Sequence, residues 1–366
     1  MDRREATDWV LRTCRRYLRL SQAKTLSECV PAAMGAGRIS LAAIGRRMTG
    51  PKLAKHRIKR VWRFVSNHRI VVAEAMGGVI HSLSRRRRKA LLIALDWTEI
   101  RRFSTLMAAA VIQGRAIPLL WASYSTGDLY RSRNNLEEGL LRLLRSLIPQ
   151  SLPVILLADR GFGRTELART CQELGIHYVI RISPEVWIEH STFRGRLLDY
   201  PVRRGISRLL RGVRYRKERP VYQHVVVHWR PGLPARRDEP WFLMTDLDRS
   251  PEALCSLYSQ RMTIEQLFRD LKGTRQGYAL RQTLIRRPER LDRLLVILAW
   301  AYLLLVGMGL RAGGRYRSGH WCSSNAPGLC SAFSIGLHCL GQRSPPPAIL
   351  LAAVVAASKR ASPNWG

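Results

Sequence analysis

Two stretches constrain this chain more than any others. Residues 90–98 read ALLIALDWT and residues 152–161 read LPVILLADRG. Each is an unbroken apolar run that meets an aspartate. A strand with one wet face alternates apolar and polar residues; a run apolar throughout is covered on both faces, as in the middle of a sheet flanked by helices. The surrounding pattern agrees. STLMAAAVIQGRAIPLLWASYS reads as two strands turning at Gly114, and RSRNNLEEGLLRLLRSLI reads as an amphipathic helix. GRTELARTCQELG is a helix stopped by Gly175, and IHYVIRI is another strand. The expected class is α/β, with Asp96 and Asp159 at the ends of central strands, where open α/β sheets bind ligands.

Charge narrows the class of partner. The 366 residues hold 62 Lys and Arg against 26 Asp and Glu, a formal net charge of +36. An excess of one sign this large argues for a polyanion, and nucleic acid is the expected partner. Residues 1–90 carry 22 of the basic residues and 5 acids, including KLAKHRIKR at 52–60 and RRRRK at 85–89. Their three- and four-residue apolar spacing predicts a small all-α basic domain over 1–88 that binds DNA, or a helical packing domain with a solvated basic face.

The catalytic part is expected over 89–310. Within it, 183–240 shows no long helical pattern. YRKERPVYQHVVVHWRPG reads as a hairpin, so this stretch is expected to be a β-rich insertion, followed by a strand at WFLMTDL. SPEALCSLYSQRMTIEQLFRDLK opens on Ser-Pro-Glu and predicts one long helix. The tail over 311–366, rich in Gly, Ser, Cys and Pro, is expected to be poorly ordered. Its Cys322, Cys330 and Cys339 with His320 and His338 form a loose metal-ligating set, against the alternative of scattered thiols. The seven cysteines form no CxxC pair and fit a reducing cytosol. MDRREATDWVLRTCRR lacks the apolar core of a signal peptide, so a cytoplasmic, nucleoid-associated protein is expected.

Within the long helix, Tyr258, Arg261, Glu265 and Lys272 are spaced by three, four and seven, which suits one helical face. If that helix packs on the sheet, Asp96, Asp159 and Glu265 converge. Converging carboxylates are stable together only when a cation neutralises them or when they protonate. Their oxygens suit Mg2+ or Mn2+, and two such ions can drive phosphodiester chemistry. Each acid has a plainer alternative: Asp96 as a strand cap, Asp159 as a turn residue, Glu265 as a solvated partner of Arg261.

The pattern Y-x2-R-x3-E-x6-K, at Tyr258, Arg261, Glu265 and Lys272, resembles the signature of the insertion-sequence-four family of bacterial DDE transposases. ALDWT around Asp96 and LLADRGFGR around Asp159 resemble that family's two aspartate strands. The likeness implies a ribonuclease-H-like catalytic domain with a β-strand insertion. It implies that Asp96, Asp159 and Glu265 are catalytic and bind divalent metal, and that Tyr258, Arg261 and Lys272 contact phosphates near the transposon end. It implies double-stranded DNA as substrate and a homodimer across paired ends. Trp241 loosely matches a tryptophan on which relatives stack a flipped base, against the alternative of an ordinary core residue.

Three rivals stand beside a transposase. One is another metal-dependent nuclease on the same fold. The second is a non-catalytic DNA-binding regulator or transposase remnant. The third is a membrane-associated basic protein resting on LLVILAWAYLLLVGMGL at 294–310; that run is just short of the roughly 20 residues a span needs, and a buried core helix is the expected reading, with no membrane partner.

Overall fold

The computed structural model describes residues 2–50, 52–85, 90–129, 133–229, 239–274, 277–314, 318–321, 323 and 330–340. Its amino-terminal part is helical: α1 (Arg3–Cys14), α2 (Leu20–Met34), α3 (Leu41–Arg47), α4 (Ala54–Ser66) and α5 (Val72–Arg85). α1 opens on a capping box. Asp2 accepts from the Glu5 amide at 2.8 Å and Glu5 accepts from the Asp2 amide at 3.0 Å, which satisfies two otherwise orphaned donors. α4 divides its faces by spacing: Val61, Phe64 and Val65 are buried, whereas Lys55, Lys59, Trp62 and Arg63 are exposed. The basic run at 86–89 lies outside the described residues.

Three antiparallel strands follow: β1 (Leu91–Ile100), β2 (Phe103–Ile112) and β3 (Arg115–Ser125). Gln113 and Gly114, with φ of 49° and 69°, close the β2–β3 hairpin. Two left-handed residues in a two-residue turn match the twist of paired strands. Helix α6 (Arg133–Leu147) leads to β4 (Val154–Ala158), and α7 (Thr165–Glu173) leads to β5 (Ile176–Arg181). β1, β4 and β5 run parallel, joined by the helical crossovers such strands require.

The β-rich stretch supplies β6 (Trp187–His190), β7 (Phe193–Arg196), β8 (Ser207–Tyr215) and β9 (Val221–His228), and β10 (Trp241–Thr245) follows it. These strands continue the same sheet, in the order β3-β2-β1-β4-β5-β10-β9-β8-β6-β7. The chain then forms α8 (Pro251–Ser259), α9 (Met262–Lys272), α10 (Pro288–Gly313) and α11 (Ala332–His338).

One expectation is corrected. The single helix over 250–272 is two helices. At the junction the amides of Gln260 and Arg261 bond three residues back, to Leu257 at 3.1 Å and Tyr258 at 2.9 Å. The tightened turn eclipses residues three apart, so Tyr258 and Arg261 still share a direction. Among the described residues of the tail, α11 packs flush on α10. A Cβ on Gly309 would lie 1.6 Å from the Ala332 carbonyl, and one on Gly336 would lie 2.0 Å from that of Leu305. Phe333 stacks on Tyr302 at 5.2 Å. The amino-terminal helices pack against the same core as the sheet. Trp300 of α10 donates to the Ala75 carbonyl at 3.1 Å, and Trp9 meets the Trp300 ring edge-on at 5.6 Å.

The run at 294–310 falls within α10. This helix is long and apolar enough to cross a membrane, with a mean hydropathy of 2.1, yet 89% of its most apolar window is buried inside the protein. A helix apolar on every side fits a position with neighbours on every side. The glycine notch is testable. Gly309→Ala should cost about 2 kcal/mol through overpacking, read by denaturant unfolding. Alkylation of Cys339, a buried thiol, should quicken; an unchanged midpoint and labelling rate would contradict the flush contact.

Candidate functional site

The site starts from strand register. The parallel pairs between β1 and β4 end at Leu95 opposite Ala158. The next residue on each strand is an aspartate, so Asp96 and Asp159 leave the ladder side by side. Asp96 is not at its strand's end, as the sequence suggested: β1 runs on to Ile100, and Asp96 stays paired with Met107 of β2. Asp159 does leave its strand, and its Oδ1 accepts from the Gly161 amide at 3.0 Å in a local turn.

Glu265 enters from the first turn of α9. It faces a cleft of about 510 Å³ that Asp96 and Asp159 also line, together with Arg261, Arg269, Lys272 and Arg281. The structure therefore brings the three acids to one place. Arg261 is folded in among them. Its Nη1 donates to Asp96 Oδ2 at 3.2 Å and its Nη2 donates to Glu265 Oε1, while only 7% of the residue is exposed. The Trp97 amide donates to the other oxygen of Asp96 at 2.8 Å.

Burial lifts the Asp96 carboxyl to about 6; Arg261 opposes the rise, and Asp159 and Glu265 add to it. Lys272 donates to Thr98 Oγ1 at 2.8 Å and lies 5.6 Å above the Phe268 ring. Burial, and then Arg281, push its ammonium below the usual lysine range.

The structure places the expected DNA-contacting residues differently from one another. Tyr258 is only 5% exposed and does not line the cleft. It packs edge-on against Trp241 at 5.1 Å, because α8 turns this face into the core beside Leu254 and Leu257. Trp241 is half-buried between Tyr258 and His228, outside the cleft lining. Arg261 meets carboxylates, not an open surface. Of the basic residues named from sequence, Lys272 alone combines partial exposure with a place in the cleft wall.

Several contributors carried no sequence signal. Arg269 and Arg281 are lost in the general surplus of arginine. Behind the cleft, Glu137 accepts from Trp97 Nε1 at 2.7 Å and from Arg164, and Arg164 reaches Glu138 at 3.2 Å. This buried network ties α6 to β1 and to the loop after Asp159. From the insertion, Tyr215 donates its hydroxyl to the Gly163 carbonyl at 2.8 Å, bracing the same loop.

Three carboxylates with one internal arginine fit a hard divalent cation by donor chemistry. Among the described residues no three His, Cys, Asp or Glu side chains are already gathered around an ion position. That holds for the tail as well: Cys330, Cys339, His320 and His338 form no such group, and Cys322 lies outside the described residues. A model of the transposase DDE domain family matches residues 87–304 of the 366, more than half of the chain. The chain belongs to the transposase DDE domain family. None of the curated proteins compared with it matches. The matched span runs from the start of the sheet into α10 and takes in the whole cleft, including Asp96, Asp159 and Glu265. Members of this DDE transposase family act on DNA and generally use divalent metal.

The charge at Asp96 gives a pH prediction for the metal-free protein. Its folded value of about 6 lies above the ordinary 3.8. The neutral form is therefore favoured by folding, and this contribution, complete below 3.8, is lost as pH rises through about 6. In EDTA at pH 7.5, Asp96→Asn should be more stable than the natural chain by about 3 kcal/mol. Urea unfolding at a series of pH values should show that gap closing toward pH 4. A gap of constant size would mean that burial of charge is not its cause.

Proposed function

We propose that this chain is a DDE transposase of the insertion-sequence-four type. It cuts transposon ends and joins the freed 3′-hydroxyls to target DNA, working as a homodimer on the nucleoid. One observation carries the reading: the β1–β4 register sets Asp96 beside Asp159, and Glu265 lines the same cleft. The strand order β3-β2-β1-β4-β5, with β2 antiparallel between its neighbours, supports a ribonuclease-H-like core.

In this reading Asp96, Asp159 and Glu265 hold two ions of Mg2+ or Mn2+. Bound there, divalent metal would supply Lewis-acid stabilisation of the charge that builds on a phosphodiester during in-line displacement. The chain's own residues do the rest. Lys272, Arg269 and Arg281 on the cleft wall hold phosphate oxygens and fix the strand against the acids. Arg261 holds Asp96 and Glu265 apart and aligned by its two-pronged contact. The Glu137–Arg164 pair keeps Trp97 and the loop after Asp159 in register with one another. Tyr258 and Trp241 act as a packed pair at the edge of the site, and base stacking on Trp241 requires their separation.

The test uses labelled duplexes carrying the DNA that flanks the coding region on either side, with Mg2+. The expected products are a cut at the element end and a joined strand when target DNA is added. Asp96→Asn, Asp159→Asn and Glu265→Gln should each remove cutting and joining yet retain DNA binding. Cleavage by Glu265→Gln at the natural rate would refute the assignment. Nicking without joined product would instead favour a simple nuclease. Lys272→Ala should lower the slope of log affinity against log salt by about one unit.

A further inference from the structure

The outer part of the sheet carries a second cationic feature, away from the three acids. Trp187 opens β6, and three cations from three different segments converge on its ring. Arg194 of β7 and Arg214 of β8 each lie 5.7 Å from the ring centroid, and Lys217 of the β8–β9 turn lies 5.4 Å away. Glu189 is the one carboxylate paired with this cluster among the described residues, 3.1 Å from Arg214 and 3.9 Å from Arg194. Over residues 187–219 the chain has 10 Lys and Arg against 3 acids.

Like charges gathered on one ring repel, and an indole face offsets only part of that repulsion. The geometry is nevertheless fixed by the backbone. The Arg216 amide donates to the Trp187 carbonyl at 3.0 Å, and Arg216 and Arg219 hold left-handed φ of 67° and 45° in the turn that presents Lys217. That turn also reaches the loop that follows Asp159, the acid on the cleft wall. Tyr215 and Arg216 both donate to the Gly163 carbonyl, at 2.8 Å and 3.3 Å, in the loop that follows Asp159. Arg169 clamps the far side of the turn through the carbonyls of Arg219, at 2.7 Å, and Pro220, at 3.0 Å.

We infer that this Trp187 face is a docking site for the phosphate backbone of duplex DNA beyond the reacting phosphodiester. The inference rests on the transposase reading above. It adds an anchor held rigidly to the Asp159 loop through the β8–β9 turn. A polyanion that lies in the cleft meets this preformed cluster at no further cost in ordering, and its phosphates supply the charge that Glu189 alone does not. Arg194 and Lys217 are the exposed members, so they make the contacts. Trp187 sets their direction.

The experiment measures binding of the full chain to a labelled 30-base-pair duplex by fluorescence anisotropy across a salt series. Arg194→Gln/Lys217→Gln is compared with the natural chain and with Arg142→Gln, an exposed arginine on α6. The double variant should bind roughly tenfold more weakly at moderate salt, with the slope of log affinity against log salt reduced by about two, one for each lost phosphate contact. Its unfolding midpoint and its Mg2+ binding should match those of the natural chain, and Arg142→Gln should bind as the natural chain does. Equal affinity and slope for the double variant, beside tight binding by the natural chain, would overturn the docking site and leave the transposase reading standing. Failure of the natural chain to bind duplex DNA at all would overturn both. A double variant that loses binding to anionic vesicles but keeps DNA binding would assign the cluster to lipid and overturn the inference.

Discussion

The parallel ladder between β1 and β4 is the constraint on which the site depends. Side chains in a strand alternate with a period of two, so a slip of one residue exchanges the faces of every side chain. Here most of the side chains on both strands are buried, and the aligned pairs from Leu91–Val154 to Leu95–Ala158 lock the register by core packing alone. The two aspartates inherit their adjacency from that packing. Neither acid has to be attracted to the other, which like charges would not allow. The hydrophobic core holds them together against their own repulsion, and the third acid arrives on a helix whose apolar residues, Ile264, Leu267, Phe268 and Leu271, are buried as well.

Arg261 is the internal answer to the charge so gathered. A guanidinium presents a rigid fork, and its two nitrogens meet Asp96 and Glu265 in fixed directions; a lysine would offer a single point charge. The break between α8 and α9 belongs to the same arrangement. With Gln260 and Arg261 bonded three residues back, Arg261 leaves the chain at the junction itself and is directed toward β1. The remaining cost is visible at Asp96, whose carboxyl is held near 6 in spite of the arginine. A site that gathers this much charge is destabilising to the fold that carries it.

What the sequence made legible follows from this physics. The strands of the parallel core are continuous apolar runs, and two of the three acids mark where those runs meet the cleft, so Asp96 and Asp159 could be found without coordinates. Glu265 could be found because it interrupts an otherwise amphipathic helix with a polar stripe. The break at Gln260–Arg261 could not: both residues have right-handed helical backbone, and no glycine or proline marks it. Nor could the Glu137–Arg164 pair, since a contact across 27 residues exists only once α6 lies against the loop that leads into α7. Tyr258 shares the spacing of the stripe, yet Trp241 covers it, a tertiary contact that helical spacing does not encode. α11 escaped notice because seven residues in a Gly-, Ser- and Cys-rich tail are too few to show a period, and its stability comes from the notch at Gly309 rather than from its own sequence.

Helix α10 shows why composition alone leaves some questions open. A helix surrounded by lipid and a helix surrounded by protein have the same apolar content, and they differ in where their few polar atoms go. In α10 those atoms reach protein partners on several sides. Trp300 donates to a carbonyl of α5, Arg293 donates to the Val65 carbonyl of α4 at 2.7 Å, and the Asp292 carbonyl accepts from Trp121 of β3 at 3.2 Å. Tyr302 donates to Asp270 of α9 at 3.0 Å, which fastens the helix bearing Glu265 and Lys272 to the same rod. Bonds in four directions need four protein neighbours, and those neighbours are the amino-terminal helices, the edge of the sheet and the helix that completes the cleft. The apolarity of α10 is therefore what lets one element join all of them.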